Sequence, residues 1–391
     1  MFSADKIKAL AAEQYDWAVS ARRALHKIPE PGWREDKTRA FIINALKEMG
    51  AAYEVSPSGW ITASVKGDLP GKVTGFRGDF DGLPVQEPMG CGFESEHPGY
   101  MHACGHDMHT ALLLATARLL CGLKGAFPGT CVLFFEPAEE TDGGAHPMAD
   151  SGLMEKYAVD RVYGLHVMPR ICVGQIESRP GTLNAGTDEV TLIVNGTASH
   201  GAYPENGKDA IVCAGQLISA LQSVVSRTVS PLENAVLTIG TIQGGKASNI
   251  ICDRVEMHGT LRTADEKLRS RIVERIRDIC EGTGKAFGCE IECRITQGYN
   301  ALVNTPAEAE RVLRLAGELF GPQSALVKEA PSMGAEDFSY FLDHAPGAFF
   351  HVGCSKDPEH LCAPLHSEKF LPEEEALYYG LCMEAALVLK N

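Results

Sequence analysis

Near the start of the chain Ile7, Leu10, Ala11, Tyr15 and Val19 recur at helical spacing, which predicts an amphipathic helix. From there to about residue 180, short apolar runs alternate with helical stretches: WITASVKG, GKVTGFRGDFDG, the almost wholly apolar segment behind His106, GTCVLFFEPAEE and DRVYGLHVMP. Strand and helix in alternation predict a mostly parallel sheet covered on both faces. After Glu189 the rhythm changes to strand VTLIVNG, a helix from Asp209 to about Arg227, strands NAVLTIGTIQGG and NIICDRVEMHGTL, a helix from Glu266 and strand EIECRIT. That order is βαββαβ, the split arrangement of a small ferredoxin-like α+β domain. Beyond Tyr299 the first rhythm returns. The expectation is a discontinuous α/β domain over residues 1–184 and 297–391, interrupted by an α+β domain over residues 185–296.

At 391 residues the chain exceeds what one core usually supports, in keeping with two domains. A formal charge of -15 with no basic run excludes a nucleic-acid surface. The thirteen cysteines are dispersed, odd in number and mostly set in apolar runs, which fits reduced thiols better than a disulfide framework. The N-terminal segment lacks the apolar core of a signal peptide. No stretch approaches the roughly 18 uncharged apolar residues of a membrane span. A cytoplasmic protein with no membrane partner is therefore expected.

The segment MHACGHDMHTALLLATARLL crowds metal-avid side chains in front of a buried helix. Asp79 and Asp81 follow one apolar run, Glu139 and Glu140 another, His166 ends RVYGL and His366 follows GAFFHVG after a loop. Ligands of open parallel sheets gather outside the carboxyl ends of the strands, and Cys104 and His106 belong to the same edge. Mixed Cys, His and carboxylate donors suit Zn, Mn, Co or Fe rather than Mg or Ca. The absence of CxxC spacing leans toward a catalytic site over a structural zinc. On an extended strand end Glu139 and Glu140 point apart, so one is expected to ligate while the other faces a water as base. Isolated histidines such as His26, His97 and His344 read as surface or satisfied core residues, and Cys131, Cys172 and Cys252 as small core hydrophobes.

Together RGDFDGLPV, MHACGHDMHTA, FEPAEE, YGLHVMP, ASHGAYPENGKDAI, MGAEDFSYF and PLHSEKF closely resemble the M20 peptidase and amidohydrolase family, over essentially the whole chain. The nearest branch is that of the N-acyl-amino-acid amidohydrolases, including hippurate and auxin-conjugate hydrolases. The resemblance implies a catalytic domain that holds two divalent metal ions (Mn, Zn, Co or Ni) and an inserted lid and dimerisation domain. It places the metal ligands at Cys104, His106, Glu140, His166 and His366, the general base at Glu139 and an orienting carboxylate at Asp81. His200 is implied to reach the active site of a partner subunit in a homodimer, with Asn249 and Arg262 holding the carboxylate of a small-molecule N-acyl amino acid. Glu136 departs from the Gln usual in this branch and is expected to add a carboxylate near the site. A dipeptidase or aminopeptidase of the same family is the first alternative, and a non-catalytic binding module the second.

Overall fold

The computed structural model describes residues 2–123, 126–141 and 143–390. It forms two compact units, one of Met1–Leu183, Val303–Glu329 and Asp337–Asn391, the other of Asn184–Leu302 and Ala330–Glu336. The return crossing lies at Leu302 rather than at residue 296. Its cause is local: Gly298 N–H donates to Thr187 O and Thr187 N–H to Tyr299 O, which keeps residues 298 and 299 in the second unit. Ser332 O accepts from Ala185 N–H at 2.9 Å, so the segment 330–336 belongs there as well.

In chain order the strands are β1 (Ala52–Val55), β2 (Ile61–Lys66), β3 (Leu69–Asp79), β4 (Pro128–Glu136), β5 (Arg161–Cys172), β6 (Ile176–Ser178) and β7 (Gly181–Asn184). The second unit contributes β8 (Gly186–Asn195), β9 (Ala235–Gly244), β10 (Arg254–Thr263) and β11 (Glu290–Gln297). The chain returns through β12 (Leu302–Asn304), which pairs with β7, and ends its strands with β13 (Ala325–Val327) and β14 (Gly347–Ser355).

The first unit is built on one sheet ordered β1-β2-β4-β3-β5-β14-β6-β13. Its centre, β4-β3-β5-β14, is parallel, while β1-β2, β2-β4 and β14-β6 are antiparallel. Central strands such as β14 are buried at every position, as parallel strands covered on both faces must be. The helix His106–Gly122 has fourteen buried residues among its seventeen, so it is enclosed rather than amphipathic. Each fully buried leucine there, Leu112, Leu113, Leu114 and Leu120 among them, contributes roughly 1.5–3 kcal/mol to that placement.

The second unit has the predicted βαββαβ order. Its four strands form an antiparallel sheet ordered β11-β8-β10-β9. Helices Ala210–Thr228 and Glu266–Phe287, capped by Asp209 and Asp265, pack on it around Leu192, Val194, Leu217, Met257, Ile272 and Ile276. By length and mean hydropathy, 1.3, helix Ala210–Thr228 could cross a membrane, although it includes Arg227 and several polar residues and is not an uncharged apolar run. Its Cys213, Ala214, Leu217, Leu221 and Val224 are instead buried in the unit's own core.

Candidate metal centre

Asp79, the last residue of β3, and Asp81 just beyond it are buried, and both face the first turn of the helix His106–Gly122. That helix starts abruptly at Gly105, whose φ of +89° is left-handed and where a Cβ would stand 2.4 Å from Val167 Cγ2. Only glycine meets both demands, and it sets Cys104 and His106 on either side of the turn.

His106 is oriented by Asp81, whose Oδ1 lies 3.0 Å from Nδ1. Its other nitrogen, Nε2, is buried without a hydrogen-bond partner. Within 4.0 Å of Nε2 stand Asp79 Oδ2 (3.8 Å), Glu139 Oε2 (3.9 Å) and Glu140 Oε1 (4.0 Å). Burial opposes a charge on this ring, yet Asp79, Asp81 and Glu140 push its pKa up to about 10. The second oxygen of Asp81 accepts from Glu140 N–H at 3.0 Å, so one carboxylate fixes a ring and a backbone together.

Both glutamates turn toward the same ring nitrogen, contrary to the expectation for an extended strand end. The reason is Ala138, a non-glycine residue at φ +61° that ends the extended path just after β4. Such a conformation costs about 1–2 kcal/mol. Glu35 Oε1 accepts the Ala138 N–H at 3.0 Å and helps hold the turn. His366 Nε2 lies 3.0 Å from Glu140 Oε1, which raises the histidine pKa. Burial would raise Glu140 itself, but His366 and His106 hold it below the usual carboxylate value. His366 is half exposed and left-handed at φ +66°, and its N–H donates to Ala103 O at 2.8 Å beside Cys104.

His166 does not end its strand, as the sequence reading had it, but sits within the twelve-residue β5. Pairing of β5 with β3 stops at Gly164, whereas pairing with β14 continues through His166, so the β3 side of this histidine opens at the strand edge. Its Nδ1 donates to Val167 O at 2.6 Å, leaving the lone pair of Nε2 directed at Cys104 Sγ, 3.2 Å away. Burial lowers the His166 pKa well below its ordinary value, and His109 adds to that shift. Burial likewise drives the Cys104 thiol far up, reinforced by Glu140 and Glu139.

These donors form overlapping groups of a size a cation fills: Cys104 with His106 and His166, Cys104 with Glu140 and His366, and His106 with Glu139 and Glu140. The chemistry fits a cation. A cation between them would replace the proton on the partnerless His106 Nε2, accept the His166 Nε2 lone pair and stabilise the Cys104 thiolate that burial, Glu140 and Glu139 disfavour.

The spacing HDMH places a further histidine on the same face of the helix. His109, one helical turn from His106, has Nδ1 2.6 Å from Asp79 Oδ1, and its Nε2 accepts from Val167 N–H. Glu136 is not part of the cluster. It is buried against Arg77 Nε at 2.5 Å, and the same guanidinium meets Asp79 Oδ2 at 2.6 Å and Asp337 Oδ1 at 2.5 Å. Burial raises Asp337 well above the usual carboxylate range, with Glu136 adding to it.

His200, Asn249 and Arg262 all lie in the second unit. His200 and Asn249 are neighbours, since Gly201 N–H donates to Asn249 O at 2.7 Å and His200 bridges to Ile250. His200 is exposed, and its Nδ1 accepts the Ala202 N–H at 3.1 Å, which leaves the proton on Nε2. Arg262 stands on β10 with Nη1 3.4 Å from Met333 O.

Known proteins share this architecture. The YXEP protein of Bacillus subtilis, a dinuclear metal binding peptidase from the M20 family, superposes with a TM-score of 0.84 at 30% identity, over 97% of this chain and 98% of that one. An N-acetyldiaminopimelate deacetylase of Exiguobacterium sibiricum is 37% identical over 93% of this chain and 96% of its own length. The thermostable carboxypeptidase 1 of Saccharolobus solfataricus is 34% identical over 99% and 98% respectively. The model of peptidase family M20/M25/M40 matches residues 75–390, which contain every donor of the cluster. With that span and those relatives, the chain belongs to peptidase family M20/M25/M40.

Proposed function

We propose that the protein hydrolyses the amide bond of N-acyl amino acids, using two divalent ions of the Mn, Zn, Co and Ni class held by Cys104, His106, Glu140, His166 and His366. The observation that carries this reading is the overlap of three donor groups with Glu139 at their rim, its side chain about one-tenth exposed. When bound, the ions supply Lewis acidity toward a water and toward the acyl carbonyl. Glu139 takes a proton from the water as its oxygen attacks the acyl carbon, and delivers that proton to the departing amine nitrogen as the C–N bond breaks. The products are a carboxylic acid and a free amino acid.

Asp81 acts through His106 and the Glu140 backbone by holding both in place. His200 offers an Nε2–H to the developing oxyanion, and loss of one such donor typically costs about 100- to 1000-fold in rate. Arg262 and Asn249 hold the substrate carboxylate, for which a guanidinium fork is well matched. The reading includes a homodimer in which His200 serves the other copy. Support comes from the edge strand β9 and the neighbouring helix, which expose Val236, Ile242, Ile211 and Val212.

The relative named a deacetylase favours an acylated amino acid, whereas the one named a carboxypeptidase keeps peptides in view. The test is amine release by manganese-reconstituted protein under reducing conditions. Substrates are N-acetyl, N-benzoyl and long-chain N-acyl amino acids, N-acetyldiaminopimelate and plain dipeptides. Chelator-sensitive cleavage of acylated substrates ahead of dipeptides is expected. Preference for dipeptides would replace this function with a peptidase.

A further inference from the structure

Away from the centre described above, His26, Glu87 and Cys91 bring a nitrogen, an oxygen and a sulfur donor within 4.8 Å of one another. From this geometry we infer a third metal site in the first unit, selective for zinc-class ions and separate from the catalytic pair.

The spacing is that of a tetrahedral ion. Bonds of about 2.0–2.1 Å to nitrogen and oxygen and 2.3 Å to sulfur put neighbouring donors roughly 3.3 to 3.6 Å apart. Here His26 Nε2 and Glu87 Oε1 are 3.0 Å apart, and Cys91 Sγ and the same oxygen 3.7 Å, so small side-chain shifts reach that geometry. The donor set also has the right softness, since imidazole, carboxylate and thiolate together exclude Mg and Ca.

Each donor is aimed by a second group, as built metal sites require. Asp107 Oδ2 lies 2.8 Å from His26 Nδ1 and orients the ring, so that an ion displacing the Nε2 proton now shared with Glu87 Oε1 meets that nitrogen already aimed. Ser95 N–H donates to Glu87 Oε2 at 2.7 Å, leaving Oε1 for the site. Cys91 rides on a tight turn with left-handed Gly90 and Gly92, closed by Glu94, whose Oε1 accepts from the N–H groups of both glycines. His26 is fully buried and Glu87 nearly so. Cys91 is half-buried and is the one donor that lines a cavity of about 760 Å³, with Arg22, Phe93, Glu374 and Tyr378, so an ion would approach from the sulfur side.

The charges agree. With Cys91 as thiolate, the site and its Asp107 support carry three negative charges against the one positive charge of Arg22, whose Nε is 2.7 Å from Asp107. A divalent ion neutralises the remainder. It would also tie the loop after β3 to the N-terminal helix Ala4–His26 and to the start of His106–Gly122.

The experiment counts zinc. Metal-free full-length protein and its Cys91→Ala variant are titrated with zinc against a chromophoric chelator, then loaded with cobalt for absorption spectra. The variant is expected to bind one equivalent fewer, to keep its amidase turnover, and to lack part of the thiolate-to-cobalt charge-transfer band. Equal zinc stoichiometry in the two proteins would overturn the site. Cys104→Ala separates the two centres, because it should keep the Cys91-dependent equivalent while losing capacity at the catalytic one. Loss of the Cys91-dependent equivalent in Cys104→Ala would count against a separate site, and unchanged turnover in that variant would count only against the catalytic assignment.

Discussion

Glu139 and Glu140 are adjacent in sequence and within 0.1 Å of each other in their distance to His106 Nε2, yet the proposed function gives them different work. Glu140 is bound to its place by Asp81 through its N–H and by His366 through its carboxylate, which suits the ligand role proposed for it. Replacing Glu139 by Gln preserves shape and removes only the proton acceptor. General-base catalysis is worth about 100- to 10,000-fold, so Glu139→Gln should lose that much turnover in an amine-release assay while its metal content stays at the wild-type value. Turnover within a few-fold of wild type would remove Glu139 from the mechanism. The candidate donors drew notice in the sequence as polar residues beside apolar runs, and the family resemblance named the set; His166 lies inside β5 rather than at its end. What sequence could not supply was their support. The Asp79–His109 contact joins positions thirty apart and Arg77–Asp337 positions 260 apart, so neither leaves a local pattern. The left-handed Ala138 gave no signal either, since glycine, asparagine and aspartate are the residues that mark such a position.

Among the elements, the closing helix Ala376–Leu389 carries an anomaly with a measurable sign. Glu384 lies in its buried face and accepts from Thr116 Oγ1 of the helix His106–Gly122, and burial pushes its carboxyl up to about 8. A carboxyl raised above its unfolded value of 4.5 favours the folded state fully only below that value, and the advantage is lost as pH climbs through 8. At about 1.4 kcal/mol per unit, the loss is on the order of 4 kcal/mol between pH 4.5 and 8.5. Glu384→Gln cannot ionise. Urea denaturation should therefore show the variant gaining on wild type by several kcal/mol from pH 5 to pH 8.5, and a difference independent of pH would contradict the assignment. At this scale the N-terminal helix, the helix after His106 and the central strands follow from apolar pattern, as does the βαββαβ order of the second unit, whereas the helix Asp36–Met49 was not read from it. The antiparallel flanks do not. β6 and β13 are three residues each, too short for periodicity to mark, and strand direction in β1 and β2 depends on pairing partners rather than on composition.

Over the whole molecule, two hydrophobic cores stand on different footings with respect to metal. The second unit's core, from Val190 to Cys289, contains aliphatic residues and small thiols, and none of the donors of the catalytic cluster belongs to that unit. The first unit instead places Asp79, Asp81, His106 and His166 in its interior at the junction of β3, β4, β5 and the helix His106–Gly122. A ligand bound only to the folded state adds RT ln(1 + [L]/Kd), about 2.7 kcal/mol at a hundredfold excess over Kd. For a unit of this size, that corresponds to roughly 5–10 °C in Tm. Differential scanning calorimetry should accordingly show two transitions in metal-loaded protein, of which chelator lowers the first unit's by about that amount and leaves the second's in place. The assignment of each transition follows from Leu217→Ala, which should lower only the second unit's, since Leu217 is fully buried in that core. A chelator that moved the Leu217-sensitive transition instead would show that the ions are held by residues other than those of the strand-end cluster.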